Sequence, residues 1–276
     1  MDKIRLIASD MDATLLDEHS CLPVGFEQTV RALAALGIRF APASGRPLYT
    51  LEAMFPTLQD ELVFIGDNGG AIRWKGQNLF TSEMSPEGWR ALNRLTREQG
   101  DIAVLCGLES AYVERPFAVH DAVLRHFYTK IEYVDRLEDV AAPADKFTIY
   151  LPQHNAQQAY DTVYASQRSI YSVAVAGECW VDIMNPGVHK GAALQTLGQL
   201  WGLPSESMMA FGDTYNDAEM LQTVRYGFLM ENGSEPLRQK VPFLAPSHRE
   251  AGVMQVLHRV LAQNGCVCPE DFIPAH

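Results

Sequence analysis

The sequence predicts an α/β protein: a Rossmann-like core built on a parallel sheet and interrupted by an inserted α+β domain. Three short apolar runs near the N-terminus each end at a polar loop, which is typical of strands that alternate with helices. The pattern changes over about residues 84–187, and the earlier alternation resumes from Lys190. These observations indicate a core formed by two separate parts of the chain.

The first part of the core reads as strand, helix and strand. Residues 4–8 form an apolar run without strict alternation, which is typical of a strand buried on both faces. Apolar positions at helical spacing predict a helix over 23–36, and Gly37 supplies a C-terminal cap. Further strands are predicted at 38–43 and 62–65, and a hairpin at 71–82.

The middle of the chain has a different organisation. Ser85 followed by Pro86 predicts the start of a helix that runs to about Gln99. Beyond it we predict strands at 102–106, 111–114, 146–151, 170–175 and 180–184, and helices at 117–128 and 155–167. This mixture predicts an α+β domain over residues 84–187, hereafter the insert, within a discontinuous core of 1–83 and 188–276.

The last part of the chain returns to alternating helices and strands. A helix over 190–201 is closed by Gly202, and a final helix is predicted at 250–263. Between them we predict a strand at 207–211, a helix at 216–223 and a strand at 225–230.

Charge and composition exclude several classes of partner. The chain has 276 residues, and 22 basic against 34 acidic residues give a net charge of −12. Such a balance argues against nucleic acid and against an anionic membrane surface. The scattered cysteines and the lack of a signal-like or membrane-spanning run predict a reduced, cytoplasmic protein. We expect a monomer or weak homo-oligomer that acts on a small molecule.

Acidic residues cluster at the predicted strand ends. Ligands of open α/β sheets bind beyond the carboxyl ends of the strands. Asp10 and Asp12 follow the first strand, and Asp213 with Asp217 follows a later one. Three or four carboxylates at one edge repel one another unless a cation lies among them, and ligands that are all oxygen favour Mg²⁺. Mg²⁺ of this kind typically accompanies a substrate phosphate.

Donors for a phosphate also lie at these ends. Ser44 offers a hydroxyl, and the backbone at Gly45 can approach a ligand closely. Lys190 offers a positive charge at a helix start. Asp10 could then attack phosphorus, and Asp12 could protonate the leaving oxygen.

At these residues the sequence resembles the haloacid-dehalogenase-like phosphohydrolase superfamily. The D-x-D-x-T pattern is Asp10-Met11-Asp12-Ala13-Thr14, and the other motifs are Ser44 in 43–47, Lys190 in 189–191 and the segment 212–217. An insert between the second and third motifs is similar to the α/β cap of the Cof-type subfamily. Residues 106–113 resemble a segment of bacterial sugar phosphatases of that subfamily.

The resemblance implies a role for each motif residue. Asp10 is the implied nucleophile, which forms an aspartyl-phosphate, and Asp12 is the implied general acid and base. Ser44 and Lys190 hold the transferring phosphoryl group. The implied metal ligands are Asp10, the backbone carbonyl of Asp12, Asp213 and, directly or indirectly, Asp217. The residues expected to contact phosphate or substrate are Met11, Gly45, Arg46, Asn68 and Asn216.

Two positions stay open at this point. Ala13 replaces the glycine that is usual in the first motif, and we expect the backbone there to be unchanged. Asp182 and Trp180 lie on one face of a strand just before the insert rejoins the core, where they either face a substrate or simply pack.

The leading hypothesis is a Mg²⁺-dependent phosphatase of small phosphorylated metabolites, with sugar phosphates as the expected class. One alternative is a phosphomutase, which uses the same aspartyl-phosphate but returns the phosphoryl group to a sugar. The other is a sensor that binds phosphorylated metabolites without turnover, which has no need of a nucleophile at Asp10.

Overall fold

The computed structural model describes all 276 residues and contains two large sheets. The first sheet has six strands, and four of the five pairings between neighbouring strands are parallel. Across the sheet the strands are Ile273–Pro274, Phe243–Ala245, Tyr226–Met230, Met208–Gly212, Leu6–Ser9 and Arg39–Pro42. The strand Val63–Gly66 continues this sheet beyond Arg39–Pro42 through two isolated parallel bridges.

The order of strands reverses beside Leu6–Ser9. From this strand the chain moves outward on one side to Arg39–Pro42, and it later returns to the other side at Met208–Gly212. The crevice at such a reversal is where ligands of open α/β sheets bind. The loops that follow Leu6–Ser9 and Met208–Gly212 therefore meet at the expected position for a ligand.

The second sheet lies wholly within the insert. Its strands, in spatial order, are Ser172–Val175, Trp180–Met184, Ala144–Tyr150, Ile102–Gly107, Ala111–Glu114 and Ile131–Val134. All neighbours are antiparallel except the last two, which are parallel. All strands of this sheet therefore lie within residues 84–187, which is consistent with the predicted boundaries of the insert. The boundaries themselves stay a prediction.

The remaining strands and the helices complete the fold. A three-stranded sheet contains Val63–Gly66 and the predicted hairpin, Ala71–Trp74 with Gln77–Thr81, and Asp2–Lys3 pairs with Cys266–Val267. The α-helices are Phe26–Ala35, Leu48–Ala53, Pro86–Gln99, Asp121–Phe127, Ala156–Asp161, Lys190–Trp201, Ala218–Thr223 and Gly252–Ala262. None of these helices has both the length and the hydropathy that crossing a bilayer requires.

Apolar side chains cover both faces of the first sheet. A cluster of 31 buried residues includes Ile7, Phe211 and Phe228, and a second cluster of 19 includes Leu6, Ala8 and Ala210. Because neighbouring residues of one strand enter different clusters, the sheet is buried on both sides, as the continuous apolar runs predict.

Two predicted helices of the insert are shorter than expected. The segment predicted as a helix over 117–128 begins as a 3₁₀ turn, Arg115–His120, and is α-helical only over Asp121–Phe127. The predicted helix 155–167 ends at Asp161, because the Thr162 hydroxyl donates to the carbonyl of Gln158 and its backbone leaves the helical region. The strand Ile131–Val134 and the helix Leu48–Ala53 are elements that the periodicity does not predict.

Candidate active site

Asp10 and Asp213 follow neighbouring parallel strands of the first sheet. Leu6–Ser9 pairs with Met208–Gly212, and each strand ends one residue before its aspartate. One carboxylate oxygen each from Asp10, Asp213 and Asp217 lies within 4.8 Å of the others. The structure thus brings together the three carboxylates that the strand-end pattern singles out.

Lys190 is the cation of this cluster. Its ammonium group is fully buried and donates to Asp10 Oδ1 at 2.5 Å and to Asp217 Oδ1 at 2.7 Å. It is the first residue of the helix Lys190–Trp201, which is capped by the His189 ring accepting from the Ala192 N–H. The two carboxylates raise the pKa of Lys190 above its usual range despite burial, so the side chain stays charged.

Asp217 fixes the shape of the loop after Met208–Gly212. Its Oδ2 accepts from the backbone N–H groups of Asp213 at 3.0 Å and Thr214 at 3.2 Å. A Cβ on Gly212 would lie 2.4 Å from the Asp217 Cβ, so only glycine fits there. Asp217 therefore has one oxygen committed to the loop and the other to Lys190.

One lysine does not neutralise three carboxylates. Burial, with Asp217 as the strongest neighbouring charge, raises the pKa of Asp10 well above its usual range, and the same causes raise that of Asp213 to about 6. Thr14 Oγ1 donates to Asp213 Oδ1 at 3.3 Å. Excess negative charge among oxygen donors matches the chemistry of Mg²⁺, so these residues fit a divalent cation.

Asp12 stands apart from the cluster. Its side chain is 56% exposed and forms an ion pair of 2.9 Å with Arg46 Nη2. The turn continues through Ala13, the residue after Asp12, whose φ of 56° lies in the left-handed region. The predicted metal ligand on Asp12 is its backbone carbonyl rather than its carboxylate. A position of the carboxylate outside the cluster is consistent with that prediction.

Ser44 and Gly45 form the neighbouring loop, after Arg39–Pro42. Ser44 is buried, and its Oγ accepts from the Arg46 N–H at 3.2 Å. Asn216 is held by a 2.6 Å hydrogen bond from the Thr214 hydroxyl to its Oδ1. The side chain of Met11 is fully buried in the apolar cluster, so only its backbone is available to a ligand.

A cavity of about 680 Å³ connects this cluster with the insert. Of the predicted site residues it is lined by Asp10, Asp12, Ser44, Gly45, Arg46, Asn68, Asp213 and Asn216. Its other side is formed by the insert, with Lys146, Asp182 and Trp180 among the lining residues. A depression of about 840 Å³ beside the helix Lys190–Trp201 is lined by none of the predicted site residues.

Lys146 is a cavity residue that the sequence pattern does not reveal. It is buried on the strand Ala144–Tyr150, and its ammonium group donates to the Gly45 carbonyl at 2.5 Å. Asp67 lies 3.1 Å from the same nitrogen and Asp182 lies 3.4 Å from it. The signal that could have found it is a lysine at the first position of the mainly apolar predicted strand 146–151.

Comparisons with known proteins place the chain among phosphatases. A family model for haloacid dehalogenase-like hydrolases matches residues 7–257. The chain is 32% identical over 262 residues to the 5-amino-6-(5-phospho-D-ribitylamino)uracil phosphatase YbjI of Escherichia coli, covering 94% of this chain and 96% of that protein. It is 30% identical to the HMP-PP phosphatase of Cronobacter sakazakii, covering 87% and 89%.

A solved structure is similar over almost the same length. A protein of Streptococcus mutans UA159 superposes with a TM-score of 0.85 at 28% sequence identity, covering 94% of this chain and 99% of that chain. The similarity therefore includes both large sheets.

Proposed function

The chain belongs to the haloacid dehalogenase-like hydrolases and is a phosphatase of small phosphorylated metabolites; on that basis we propose that it uses Mg²⁺ and an aspartyl-phosphate to hydrolyse phosphorylated sugars or sugar alcohols. The observation that carries the proposal is the buried Lys190 Nζ, which lies 2.5 Å from Asp10 Oδ1 and 2.7 Å from Asp217 Oδ1. Asp10 in turn lines a cavity that Asp12 also lines.

The first step transfers the phosphoryl group to the protein. A carboxylate oxygen of Asp10 forms a bond to phosphorus while the bond from phosphorus to the ester oxygen breaks. The carboxyl group of Asp12, once protonated and released from its ion pair with Arg46, gives its proton to that oxygen, which leaves as an alcohol. In this proposal Lys190 and the Ser44 hydroxyl neutralise and orient the phosphoryl oxygens.

The second step returns the protein to its starting state. Asp12, now ionised, takes a proton from a water molecule whose oxygen bonds to phosphorus. The bond between phosphorus and Asp10 breaks, and inorganic phosphate leaves. The net reaction is a phosphate monoester and water giving an alcohol and phosphate.

The clustered carboxylates of Asp10, Asp213 and Asp217 would hold a divalent cation, and the backbone carbonyl of Asp12 is the further expected ligand. When bound, Mg²⁺ offsets the negative charge shared by these carboxylates and the substrate phosphate. The observation that supports this assignment is that one carboxylate oxygen each from Asp10, Asp213 and Asp217 lies within 4.8 Å of the others.

The name of the relative YbjI supports the substrate class. It specifies a phosphorylated ribitylamino-uracil, in which the phosphate is attached to a sugar-derived chain. The cavity walls formed by the insert suit a small molecule that is enclosed before reaction rather than a large phosphoprotein. The cytoplasmic location and the monomeric or weakly associated state stay predictions.

The test is phosphate release from a panel of sugar and sugar-alcohol phosphates, with Mg²⁺ and after its removal by a chelator. We expect release that requires the metal, and a phosphorylated protein that is trapped by rapid acid quenching. Isomerised ester without free phosphate would instead identify a phosphomutase, and binding without either product would identify a sensor.

A further inference from the structure

The loop from Ser44 to Arg46 is held by hydrogen bonds from two parts of the chain. The carbonyls of Ser44 and Arg46 accept from backbone N–H groups of the core turn 67–69, at 2.9 and 3.0 Å respectively. The carbonyl of Gly45, between them, accepts instead from the side chain of Lys146, which belongs to the insert. The core therefore fixes the two ends of this loop, and the insert fixes its middle.

The peptide unit between Gly45 and Arg46 transmits the contact with the insert to the Ser44 side chain. A trans peptide unit is planar, and its C=O and N–H groups point in opposite directions. Because the Gly45 carbonyl points toward Lys146, the N–H of the same unit points the other way. That N–H donates to Ser44 Oγ at 3.2 Å. The Ser44 oxygen is thus held as an acceptor, and its own proton remains for a phosphoryl oxygen.

Two carboxylates keep Lys146 charged in this buried position. Its side chain is 2% exposed, and its nitrogen lies 3.1 Å from Asp67 Oδ1 and 3.4 Å from Asp182 Oδ2. Burial lowers the pKa of Lys146, but the charges of Asp182 and Asp67 outweigh it and raise the pKa well above its usual range. These two oxygens and the Gly45 carbonyl match the three hydrogens of an ammonium group. Lys146 is therefore engaged with the protein rather than available to a substrate phosphate.

A β-bulge aims Lys146 at the core. The strand Ala144–Tyr150 shifts register against its neighbour between Ala144 and Lys146, so that Asp145 is an extra residue. Bulges redirect side chains and are frequent beside active sites. Here the irregularity lies at the position of the strand that meets the loop of Ser44.

We propose that Lys146 is a positioning residue, which acts through the Gly45 carbonyl to orient the Ser44 hydroxyl toward the transferring phosphoryl group. The proposal rests on the phosphatase function and adds a residue of the insert to the catalytic site of the core. It makes the working orientation of Ser44 depend on the insert being packed against the core. The competing role is purely structural, in which Lys146 only offsets the buried charges of Asp67 and Asp182.

The first comparison keeps the buried charge balanced. Lys146→Met alone leaves two buried carboxylates without their cation and is expected to lower stability strongly. It is therefore combined with Asp67→Asn, and Asp67→Asn alone, which keeps the contact between Lys146 and Gly45, is the matched control. We expect kcat of the combined variant to be about tenfold to 100-fold below that of the control, because a small misplacement of a catalytic group has an effect of this size. Equal kcat values would overturn the proposal.

The second comparison tests whether the effect passes through Ser44. In the protein that carries Ser44→Ala and Asp67→Asn, the hydroxyl is absent, so adding Lys146→Met should change kcat by no more than about twofold. Independent, multiplying effects of Ser44→Ala and Lys146→Met would contradict the proposed route. Circular dichroism and Tm establish that each variant is folded.

The choice of ester separates positioning from a direct contact with the leaving group. This control is needed because Lys146 lines the cavity. An effect on the Ser44 hydroxyl concerns the phosphoryl group, so Lys146→Met should cause the same loss for a sugar phosphate and for p-nitrophenyl phosphate, in kcat more than in KM. A loss confined to one ester, or to KM, would overturn the positioning role.

Failure of the proposed function would look different. If neither the parent nor Asp67→Asn releases phosphate from any ester, the phosphatase mechanism is wrong. The positioning role is then measured as the Kd of inorganic phosphate with Mg²⁺ by calorimetry. Weaker binding after Lys146→Met in the Asp67→Asn protein, absent in the Ser44→Ala background, would support it. Equal Kd values with and without Lys146→Met would overturn it.

Discussion

The side-chain amide of Asn68 donates a 3.0 Å hydrogen bond to Asp182 Oδ2, and so joins the core to the insert inside the cavity. The two residues are 114 positions apart in the chain. Asp182 is 3% exposed and accepts from Thr148 as well, so its carboxylate is paired with donors from both parts. Together with the contacts of Lys146 to Gly45 and Asp67, this hydrogen bond holds the insert against the loops of the core.

Replacing Asn68 should therefore weaken substrate binding, and the effect should be larger when the new side chain is negatively charged. We expect Asn68→Asp to raise KM more than Asn68→Ala does, because a second carboxylate would face Asp182 without a donor between them. An increase of about tenfold for Asn68→Asp corresponds to about 1.4 kcal/mol. Steady-state kinetics on the best substrate measure the effect. Asn264→Asp, at an exposed position, is the control, and an equal KM in both Asn68 variants would contradict the explanation.

The sequence alone predicts the carboxylate cluster because of a general property of parallel sheets. Carboxyl ends of neighbouring strands meet at one edge, so Asp10 and Asp213 can be placed together without knowing any distance. The same reasoning places Lys190, since its helix begins beside that edge. The apolar runs also predict the strands correctly to within one or two residues, because burial on both faces leaves few polar interruptions.

The contacts between the core and the insert could not be predicted in this way. Lys146, Asp67 and Asp145 meet only because one sheet lies over the loops of the other, and no local spacing encodes that arrangement. The ion pair between Asp12 and Arg46 is a similar case, since it joins loops after two different strands. Local patterns determine strands and helices, whereas the packing of whole segments determines these pairs.

Asp10→Asn tests the aspartyl-phosphate. We expect kcat to fall by a thousandfold or more, because an amide does not form the covalent intermediate, while the far-ultraviolet circular dichroism spectrum is unchanged. Phosphate release and acid-quench trapping are the measurements. Asp60→Asn, at an exposed position, controls for loss of charge, and substantial turnover by Asp10→Asn would exclude the mechanism.

Removing the Asp213 carboxylate should weaken Mg²⁺ binding without lowering the stability of the metal-free protein. Mg²⁺ is expected to raise the Tm of the protein, since it binds the native state, by an amount that grows with metal concentration. Asp213→Asn should lose most of this shift. Without metal, the variant should be as stable as the parent or more stable by about 1 kcal/mol, because one of the mutually repelling carboxylates is gone.

Differential scanning calorimetry with chelator and with Mg²⁺ measures both effects for Asp213→Asn. Asp60→Asn should keep the full Mg²⁺ shift. A metal-dependent Tm that persists in Asp213→Asn would show that the cation binds elsewhere.

Ala13 has a left-handed backbone that glycine adopts more easily. Its φ is 56° and its ψ is 13°, and it occupies the position where glycine is usual in the haloacid dehalogenase-like family. We expect Ala13→Gly to stabilise the protein by up to about 1 kcal/mol, because the strain of a Cβ in this region is removed. Urea unfolding provides the comparison. Ala141→Gly, in an exposed segment without positive φ, should instead destabilise slightly, and the same sign for both variants would rule out strain at Ala13.

Asp145 should make stability depend on pH. It is completely buried beside Asp67, neither of its carboxylate oxygens has a hydrogen-bond donor, and burial followed by the charge of Asp67 raises its pKa well above the usual range. The native state therefore holds a proton that the unfolded chain releases near pH 4. This contribution to stability is complete below that pH and is lost as the pH rises toward the native pKa, by at most about 1.4 kcal/mol per unit.

Asp145→Asn removes this titration and leaves a neutral side chain of similar shape. We expect the free energy of unfolding of the variant, relative to the parent, to increase steadily from pH 4.5 to 7.5, as measured by urea unfolding at several pH values. Asp60→Asn should give a difference that stays nearly constant, because that carboxylate is exposed in both states. A constant difference for Asp145→Asn as well would mean that Asp145 is ionised in the native protein, with Lys146 then shared among three carboxylates rather than two.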